Sequence, residues 1–446
     1  MFPWKKAGMF AGVICAMIIG TACGDYYRPT ANPIIAPGGN PQNTHFAYAL
    51  YSNPNGPGGT TGPGTLQQID VSGDSVTLQV IVGREPIFAS FYGTSTGAVY
   101  TVNKEDGSVT QQSFLSVQPP NVITLPTRSA PVFVGGTSAV DVYILNASAP
   151  DQCTGTGSLN IVTTGNVVSN TICVGQNPVA LGQKPNGGKI YVVNQATNNV
   201  SVVDPVSQQV GATIPVGSNP VWITSNLDGS YMFVVNKGSN SLTAIHTTDN
   251  TTTTIPVGTA PNFSIFDSFR NRLYVTNGGS NDVSMLDLSK ATPQMLVQHV
   301  SLGAGTSNPT SIVPLADGSR YYVANSGSFN VSVVNSESNT LAATTPNPIP
   351  LYPAGTTAAT AQNLWIESEP TSAKVYVTTP PPSGTPQSNN PNAAPGVTII
   401  RTSNNSIESF LQAPQSDPNC QPNPVAIPPV TCGYQTPVQL LTYIHD

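Results

Sequence analysis

Short runs that alternate between apolar and polar residues, separated by turn-forming residues, recur along most of the chain. Each such run, for example NVSVVD ending at Asp204, follows after a turn a second kind of run: an aromatic residue, two mostly aliphatic residues and usually an asparagine. A period of two predicts β-strands, because successive side chains of a strand point to opposite faces of its sheet. The aromatic residues are Tyr48, Tyr100, Tyr143, Tyr191, Phe233, Tyr274, Tyr322 and Tyr376.

These aromatic runs are separated by 41 residues (Phe233 to Tyr274) to 54 residues (Tyr322 to Tyr376). Each is followed by a second, alternating run. The next strand ends in V-G-x-x-P at four boundaries, with looser forms at Pro131 and Pro309, and a further strand begins after that proline. PVWITS from Pro220 is an example of the last kind. Four short strands in a unit of this length are typical of a β-propeller blade. The sequence therefore predicts an all-β protein, a β-propeller of four-stranded blades.

One unit spells YVTN literally, from Tyr274 to Asn277, and neighbouring units read YVVN, FVVN and YVAN. These units resemble the YVTN-type β-propeller repeats of bacterial and archaeal surface proteins, in the lactonase-like propeller superfamily. The resemblance covers about Phe46 to the C-terminus and is strongest in the four central units. It implies an exported propeller, and the family is most often seven-bladed.

The phase of the repeat predicts how the ring closes. If the strand after the proline is innermost, the aromatic strand is the second strand of each blade. The segment Val438 to Ile444 follows Pro437 and occupies the innermost place that the first unit lacks. We expect the N-terminal and C-terminal strands to share one blade, which removes a free sheet edge. Eight aromatic strands count to eight blades, with seven as the alternative.

Composition agrees with an all-β fold and excludes one class of partner. The 446 residues include 40 Gly and 42 Pro, a density that helix interiors do not tolerate. Only 8% are charged, against roughly 25% in ordinary soluble domains. The formal net charge is −6, so nothing attracts nucleic acid by charge.

The N-terminal residues predict export. Lys5 and Lys6 precede an uncharged apolar run that ends in small residues before Cys23. We interpret residues 1–22 as a signal peptide, 23–45 as a Pro-rich, lipid-anchored tether and 46–446 as the propeller domain. Ala22 and Cys23 resemble a lipoprotein lipobox, whereas Gly20 stands where that family usually has Leu. The alternative is cleavage after Ala22 without lipidation. Either route exports the protein. We expect it to be lipid-anchored in the cell envelope, at the outer membrane or facing the periplasm, with membrane contact through the anchor only, or to be secreted.

The remaining cysteines predict two disulfides. Cys153 precedes one strand and Cys173 ends the next, so antiparallel pairing brings the two together. Cys420 and Cys432 bracket a Pro-rich loop. A zinc site is disfavoured, because there is no C-x-x-C spacing and no histidine nearby. The prediction includes no metal and no cofactor.

Catalytic interpretations find little support in the sequence. The histidines, at positions 45, 246, 299 and 445, do not recur in any one loop of the repeat. The C-x-x-C-H haem motif and the H-E-x-x-H motif are absent. Whether the protein is an enzyme stays uncertain, and a binding or surface-interaction module is favoured. A propeller hydrolase of the lactonase type is the alternative, and it would need a metal or a His and acid cluster in the central mouth.

Two sets of polar residues could form sites. The asparagines that end the aromatic strands could ring a ligand, but we favour a local role, in which each bonds the backbone two residues on and tolerates a left-handed conformation. They are Asn103, Asn146, Asn194, Asn236, Asn277 and Asn325. Arg84 and Glu85 are charges in an inter-blade turn where other units have neutral pairs, so they are candidate binding residues. The alternative for them is a solvated pair at the rim.

The longest connections predict where a partner binds. They run from Ser52 to Gly64, Thr345 to Gln362, Thr379 to Gly396 and Ala413 to Pro437. Strand direction places all four on one face of units 7, 8 and 1, with Arg84 and Glu85 at the edge. We expect an unknown protein or glycan of the cell envelope to bind there. The alternative is that these loops are excursions without a partner.

Overall fold

The computed structural model describes residues 45–54, 56, 60–92, 97–113, 119–136, 141–148, 151–163, 165–185, 188–289, 297–343, 346–352, 363–380, 395–417 and 433–444. The signal segment, most of the tether, Cys23, Cys420, Cys432 and His445 lie outside these residues. Within them the chain forms 33 strands in eight sheets and one short 3-10 helix, Asp151–Cys153. No helix in the described ranges is long and apolar enough to cross a membrane.

Each sheet is an antiparallel blade, numbered here in chain order. Blade 1 contains β1 (His45–Asn53), β2 (Gly62–Asp70), β3 (Ser75–Arg84) and β33 (Thr436–Ile444). Blade 2 contains β4 (Pro86–Tyr92), β5 (Ala98–Asn103), β6 (Ser108–Ser113) and β7 (Asn121–Thr124). Blade 3 contains β8 (Pro131–Gly135), β9 (Val142–Asn146), β10 (Ser158–Val162) and β11 (Val168–Cys173). Blade 4 contains β12 (Pro178–Gln183), β13 (Ile190–Asn194), β14 (Asn199–Asp204) and β15 (Gln209–Pro215).

The second half of the ring repeats this pattern. Blade 5 contains β16 (Pro220–Ser225), β17 (Tyr231–Asn236), β18 (Ser241–His246) and β19 (Thr252–Pro256). Blade 6 contains β20 (Pro261–Asp267), β21 (Arg272–Asn277), β22 (Asp282–Asp287) and β23 (Val297–Ser301). Blade 7 contains β24 (Pro309–Pro314), β25 (Arg320–Asn325), β26 (Asn330–Asn335), β27 (Thr340–Leu341) and β28 (Ile349–Pro350). Blade 8 contains β29 (Ile366–Ser368), β30 (Lys374–Thr379), β31 (Gly396–Arg401) and β32 (Ser406–Gln412).

The first strands of neighbouring blades contact one another around the whole ring, which makes them innermost and confirms the predicted phase. In blade 1 the order is β3-β2-β1-β33, so the C-terminal strand is innermost and pairs with β1. Eight blades and closure by both termini are therefore confirmed, and the seven-bladed alternative is wrong.

Burial explains the residue pattern of each blade. The second strand is covered on both faces by neighbouring blades, so every residue of β13 is buried. The outermost strand β15 instead alternates between exposed residues and residues that are partly or fully buried. Aromatic side chains of the second strands fill the space between blades, and Tyr143, Tyr191, Phe233 and Tyr274 are fully buried. The core is thus a ring of inter-blade layers, as propeller packing requires.

The alternating strand directions define two faces. The loop face is the one at which second strands end and innermost strands begin. The tether face is opposite, where β1 begins at His45 beside Ile444. One predicted connection on the loop face is partly wrong, because the segment from Thr345 to Gln362 contains β28, whose Ile349 pairs with Val331 of β26.

Candidate binding face

Every blade boundary with a V-G-x-x-P sequence is joined to the next blade in the same way. The residue before the proline has a positive φ near 48°, as at Glu85, Asn177, Asn219 and Ala260. Its carbonyl oxygen accepts a hydrogen bond from the backbone N–H that follows the recurring asparagine. At the boundary between blades 4 and 5, for example, Lys237 donates to Asn219 at 3.0 Å. These contacts hold the inter-blade crossings against the turns that follow the second strands.

The recurring asparagines are structural, although not in the way the sequence predicts. All six are fully buried, so a ligand in solvent cannot reach them. None has a positive φ. Each Nδ2 instead donates across to side chains of the third strand, as Asn236 does to Thr243 at 2.9 Å and Asn325 does to Ser332 at 2.9 Å. The glycine of V-G-x-x-P packs against this asparagine, since a Cβ on Gly175 would lie 2.4 Å from Asn194 Cγ.

Arg84 and Glu85 lie in a group of five charged residues at the boundary between blades 1 and 2, which we call the charged turn cluster. Arg84 Nε lies 2.7 Å from Asp106 Oδ1, and Arg84 Nη1 lies 3.0 Å from Glu105 Oε1. Lys104 Nζ lies 2.9 Å from Glu85. The hydrogen bond to Asp106 and the charges of Asp106 and Glu105 raise the pKa of Arg84 above its ordinary value, so the guanidinium stays charged.

Other boundaries use neutral groups at the same positions. Between blades 3 and 4, Asn177 Nδ2 donates to Gln195 Oε1 at 2.9 Å. Between blades 5 and 6 the contacts are made by the backbones of Ala260 and Gly278. In a protein with only 8% charged residues, five charges in two adjoining turns form a distinct polar surface.

The described first and last residues of the long connections, which we call their bases, lie together beside this cluster. Asn53, at the end of β1, donates from Nδ2 to the carbonyl of Ser416 at 2.8 Å. Gln415 and Tyr434 form a β-bridge, so the two described ends of the connection between β32 and β33 lie side by side. The Tyr352 hydroxyl donates to the carbonyl of Pro380, which joins the connections of blades 7 and 8. The described ends of these connections therefore lie on one sector of the loop face, formed by blades 7, 8 and 1.

The central mouth on this face is filled by aromatic rings. Phe88 stacks on Phe133 with 4.2 Å between ring centroids, and Trp222 lies 4.8 Å from Phe263. Trp222 of blade 5 also meets Trp365 of blade 8, with 6.3 Å between centroids. Because blades 5 and 8 are not neighbours, these rings meet across the axis of the ring. They form an aromatic plug that the sequence analysis missed.

One buried acid lies within reach of the plug. Glu367 of β29 is buried, and its Oε1 accepts a hydrogen bond from Trp365 Nε1 at 3.1 Å. Trp222 Nε1 donates to the carbonyl of Ser264 at 3.1 Å. Both indole groups are therefore held by hydrogen bonds, which fixes the orientation of the plug.

The predicted bond between Cys153 and Cys173 is present, with 5.2 Å between the Cα atoms. It ties the connection between β9 and β10 to the end of β11. That connection spans residues 147–157 and opens on the loop face, a placement that sequence reasoning missed. Its length could have been seen from the distance between YILN and SLNIV.

No catalytic arrangement is found among the described residues. Groups of three or more His, Cys, Asp or Glu side chains able to hold a metal are absent from them. His299 lies near Ser284 and Asp282, but both approach the same ring nitrogen, Nδ1, at 3.4 and 3.2 Å. A nucleophile relay needs the two partners on different nitrogens. His246 is paired with Asp249 in a turn of the tether face.

Comparison with known proteins supports the fold. No protein-family model matches the sequence, and no curated protein matches it. Among solved structures, dihydro-heme d1 dehydrogenase NirN is similar at a TM-score of 0.61 and 10% identity, over 88% of this chain and 74% of that one. AztD from Citrobacter koseri is similar at 0.56 and 12% identity, over 90% and 99%. A hydrazine synthase chain from Kuenenia stuttgartiensis is similar at 0.50 and 15% identity, over 72% and 98%. At these identities the likeness shows the fold alone. The eight sheets of the ring make the protein an eight-bladed β-propeller.

Proposed function

We propose that this protein is an exported, lipid-anchored β-propeller that binds a polar protein or glycan of the cell envelope. The binding surface is the sector of the loop face formed by blades 7, 8 and 1 with the adjoining charged turn cluster. The observation that carries this proposal is the contact between the bases of the long connections, through Asn53 with Ser416 and Tyr352 with Pro380. Loops gathered on a rigid scaffold are where binding residues usually lie.

Export is supported by the disulfide between Cys153 and Cys173, because such bonds form and persist in oxidising compartments. Anchoring through Cys23, and membership of the YVTN-type repeats, rest on the sequence patterns. Labelling with a fatty-acid analogue tests the anchor. We expect incorporation into the native chain and none into the Cys23→Ser variant, and label retained by that variant contradicts the assignment.

A binding role fits the site better than hydrolysis does. The aromatic plug occupies the central mouth, where a propeller hydrolase would place its metal or its His and acid cluster. The surface around it presents hydrogen-bonding groups and paired charges, which suit a polar partner. A screen on lactones and sugar-acid esters, with and without divalent metal, discriminates the two. Turnover that depends on one residue of the described mouth would favour the enzyme.

The binding surface is tested by two changes with a matched control. Replacement of residues 381–394 by a short Gly-Ser turn shortens the connection of blade 8. Lys104→Ala breaks the pair with Glu85, and Lys237→Ala removes a lysine from the equivalent turn position of blade 5, on the opposite side of the ring. We expect capture of envelope proteins or binding to a glycan array to fall with the first two variants only. Equal binding by all three would contradict the proposed sector.

A further inference from the structure

The exposed apolar side chains are distributed unevenly between the two faces. Eight large hydrophobic residues are exposed among those the structure describes, and four of them lie on outermost strands. The other four lie in turns, and every one of these turns opens on the tether face of consecutive blades 3 to 6. They are Val167, Val206, Leu227 and Phe269, which we call the apolar tips. No turn on the described part of the loop face exposes a large hydrophobic side chain.

Local hydrogen bonds hold the apolar tips outward. Phe269 is 64% exposed, and its ring lies beside Gly318, where a Cβ would come within 2.1 Å of it. Arg270, the next residue, donates from Nε to the Gly318 carbonyl at 2.6 Å. Val206 is 92% exposed, and its backbone N–H donates to Asp204 Oδ1 at 2.8 Å, which holds the turn. These ordered turns therefore keep the apolar side chains exposed to water and do not let them fold inward.

The chain enters the propeller on this same face. His45 of β1 pairs with Ile444, so both ends of the described propeller lie on the tether face of blade 1. Blade 5, which carries Leu227, is diametrically opposite blade 1 in a ring of eight. If Cys23 is the anchor, residues 24–44 connect it to this point, and 21 residues span at most about 70 Å when extended. Such a tether keeps the tether face within reach of the bilayer but does not orient the ring.

We propose that the tether face rests on the lipid bilayer, with the apolar tips inserted at its surface and the loop face turned away. This inference rests on the proposed anchor at Cys23. The anchor and the tips then contact the bilayer on opposite sides of the ring, which holds the disc flat. Tethering raises the effective concentration of the tips at the surface, so that a small apolar contact is enough to hold the tether face on the bilayer.

The contact does not depend on lipid charge. Among the residues that the structure describes in blades 3 to 6, the turns of the tether face carry six acidic and four basic residues. The acidic residues are Asp141, Asp204, Asp228, Asp249, Asp267 and Asp287, and the basic residues are Lys184, Lys189, Arg270 and Arg272. An apolar contact without net attraction is little weakened by salt, in contrast to binding by a basic patch. We therefore expect binding to zwitterionic phosphatidylcholine vesicles at both low and high salt.

Fluorescence of the lipidated full-length protein on brominated phosphatidylcholine vesicles tests the orientation. Phe269→Trp places an indole at a tip, and Val122→Trp places one at an exposed position of outermost strand β7. The native Trp222 and Trp365 lie in the plug of the loop face and supply an unquenched background. We expect quenching in the Phe269→Trp variant only. Flotation of that variant with vesicles but without quenching would overturn the proposal while leaving the anchor intact.

The unlipidated Cys23→Ser chain tests the tips without the anchor. We expect the double change Leu227→Ser and Phe269→Ser to lower its partition onto phosphatidylcholine vesicles by about tenfold, and Val122→Ser to leave it unchanged. Equal partition by both would overturn the proposal whatever the fate of Cys23. Sedimentation of the same chains tests the alternative that the tips contact a second copy of the protein. A concentration-dependent dimer that is lost in the double variant would assign the tips to that contact and overturn the proposal. Loss of partner capture by the loop-face variants reports on the proposed function separately.

Discussion

Lys374 and Asp74 form a mostly buried ion pair across the junction between the last blade and the first, with 2.8 Å between Nζ and Oδ1. The Lys374 ammonium also donates to the Val71 carbonyl at 3.0 Å, and Asp74 accepts from Tyr376 and Ser409. Neighbouring junctions use neutral acceptors, as where Arg320 and Tyr322 donate to Asn405. The seam that closes the ring therefore has a charged contact in addition to the pairing of β1 with β33.

Breaking this pair is expected to cost stability. Lys374→Met leaves the Asp74 carboxylate mostly buried without its cation, which should lower the free energy of unfolding by about 3 kcal/mol. Arg84→Met is the control, because the Arg84 side chain is 45% exposed and the loss of its ion pairs should cost much less stability. Urea denaturation measures both. Equal losses would mean that the seam pair contributes no more than a surface pair.

The glycine of V-G-x-x-P is expected to be intolerant of any side chain. Gly175→Ala places a Cβ within 2.4 Å of Asn194 Cγ, so blades 3 and 4 must separate or Asn194 must leave its hydrogen bonds. We expect a loss of about 2 to 4 kcal/mol, measured by denaturation. Gly211→Ala is the control, since its Cβ would meet nothing closer than 4.0 Å. That control should be neutral or slightly stabilising.

The disulfide of blade 3 is expected to stabilise the propeller. Cys153 and Cys173 are 20 residues apart in sequence, and a closed loop of this size contributes roughly 3 kcal/mol in the chain-entropy model. The double change of both cysteines to serine should lower the melting temperature, and intact mass before and after reduction should show the bond in the native chain. The same mass measurement tests the predicted bond between Cys420 and Cys432.

The sequence predicted features that depend on local order along the chain. The aromatic strand at Tyr191, the alternating strand that ends at Asp204 and the proline at 178 are enough to place the strands of a blade. The hairpin near Cys173 places its partner Cys153. Contacts between blades were missed. Trp222 and Trp365 meet across the axis, and Lys374 and Asp74 are 300 residues apart in sequence. No local period along the chain could indicate either contact.

Buried tyrosines of the second strands are expected to make the propeller sensitive to alkali. Burial raises the pKa of Tyr191, Tyr274 and Tyr322 to about 12, from an ordinary value of 10. Between these values the unfolded chain releases phenol protons that the folded chain keeps. The stability that these buried tyrosines contribute is therefore fully present below pH 10 and is lost as the pH rises toward 12. Absorbance at 295 nm should lag behind ordinary tyrosine titration and then rise together with loss of circular dichroism. Complete titration near pH 10 in a folded protein would contradict the burial.

The recurring asparagine is expected to act as a buried donor, which distinguishes it from the turn-capping role that its position in the sequence suggests. Asn236 donates from Nδ2 to Ser241 and Thr243, whereas Asn240, four residues later, is exposed with a φ of 53° and accepts from the Ala260 N–H. Asn236→Asp removes the donor and buries a charge, so it should cost about 3 kcal/mol or more.

Asn240→Asp keeps the acceptor and tolerates the left-handed conformation, so it should change stability by less than about 0.5 kcal/mol. If capping were the role of both residues, aspartate would serve equally well at either position. Similar unfolding free energies for the two variants would therefore contradict the cross-strand role of Asn236. A large loss of stability at position 236 alone would support the same role for the other five recurring asparagines. Each of them is fully buried and donates to the third strand of its own blade.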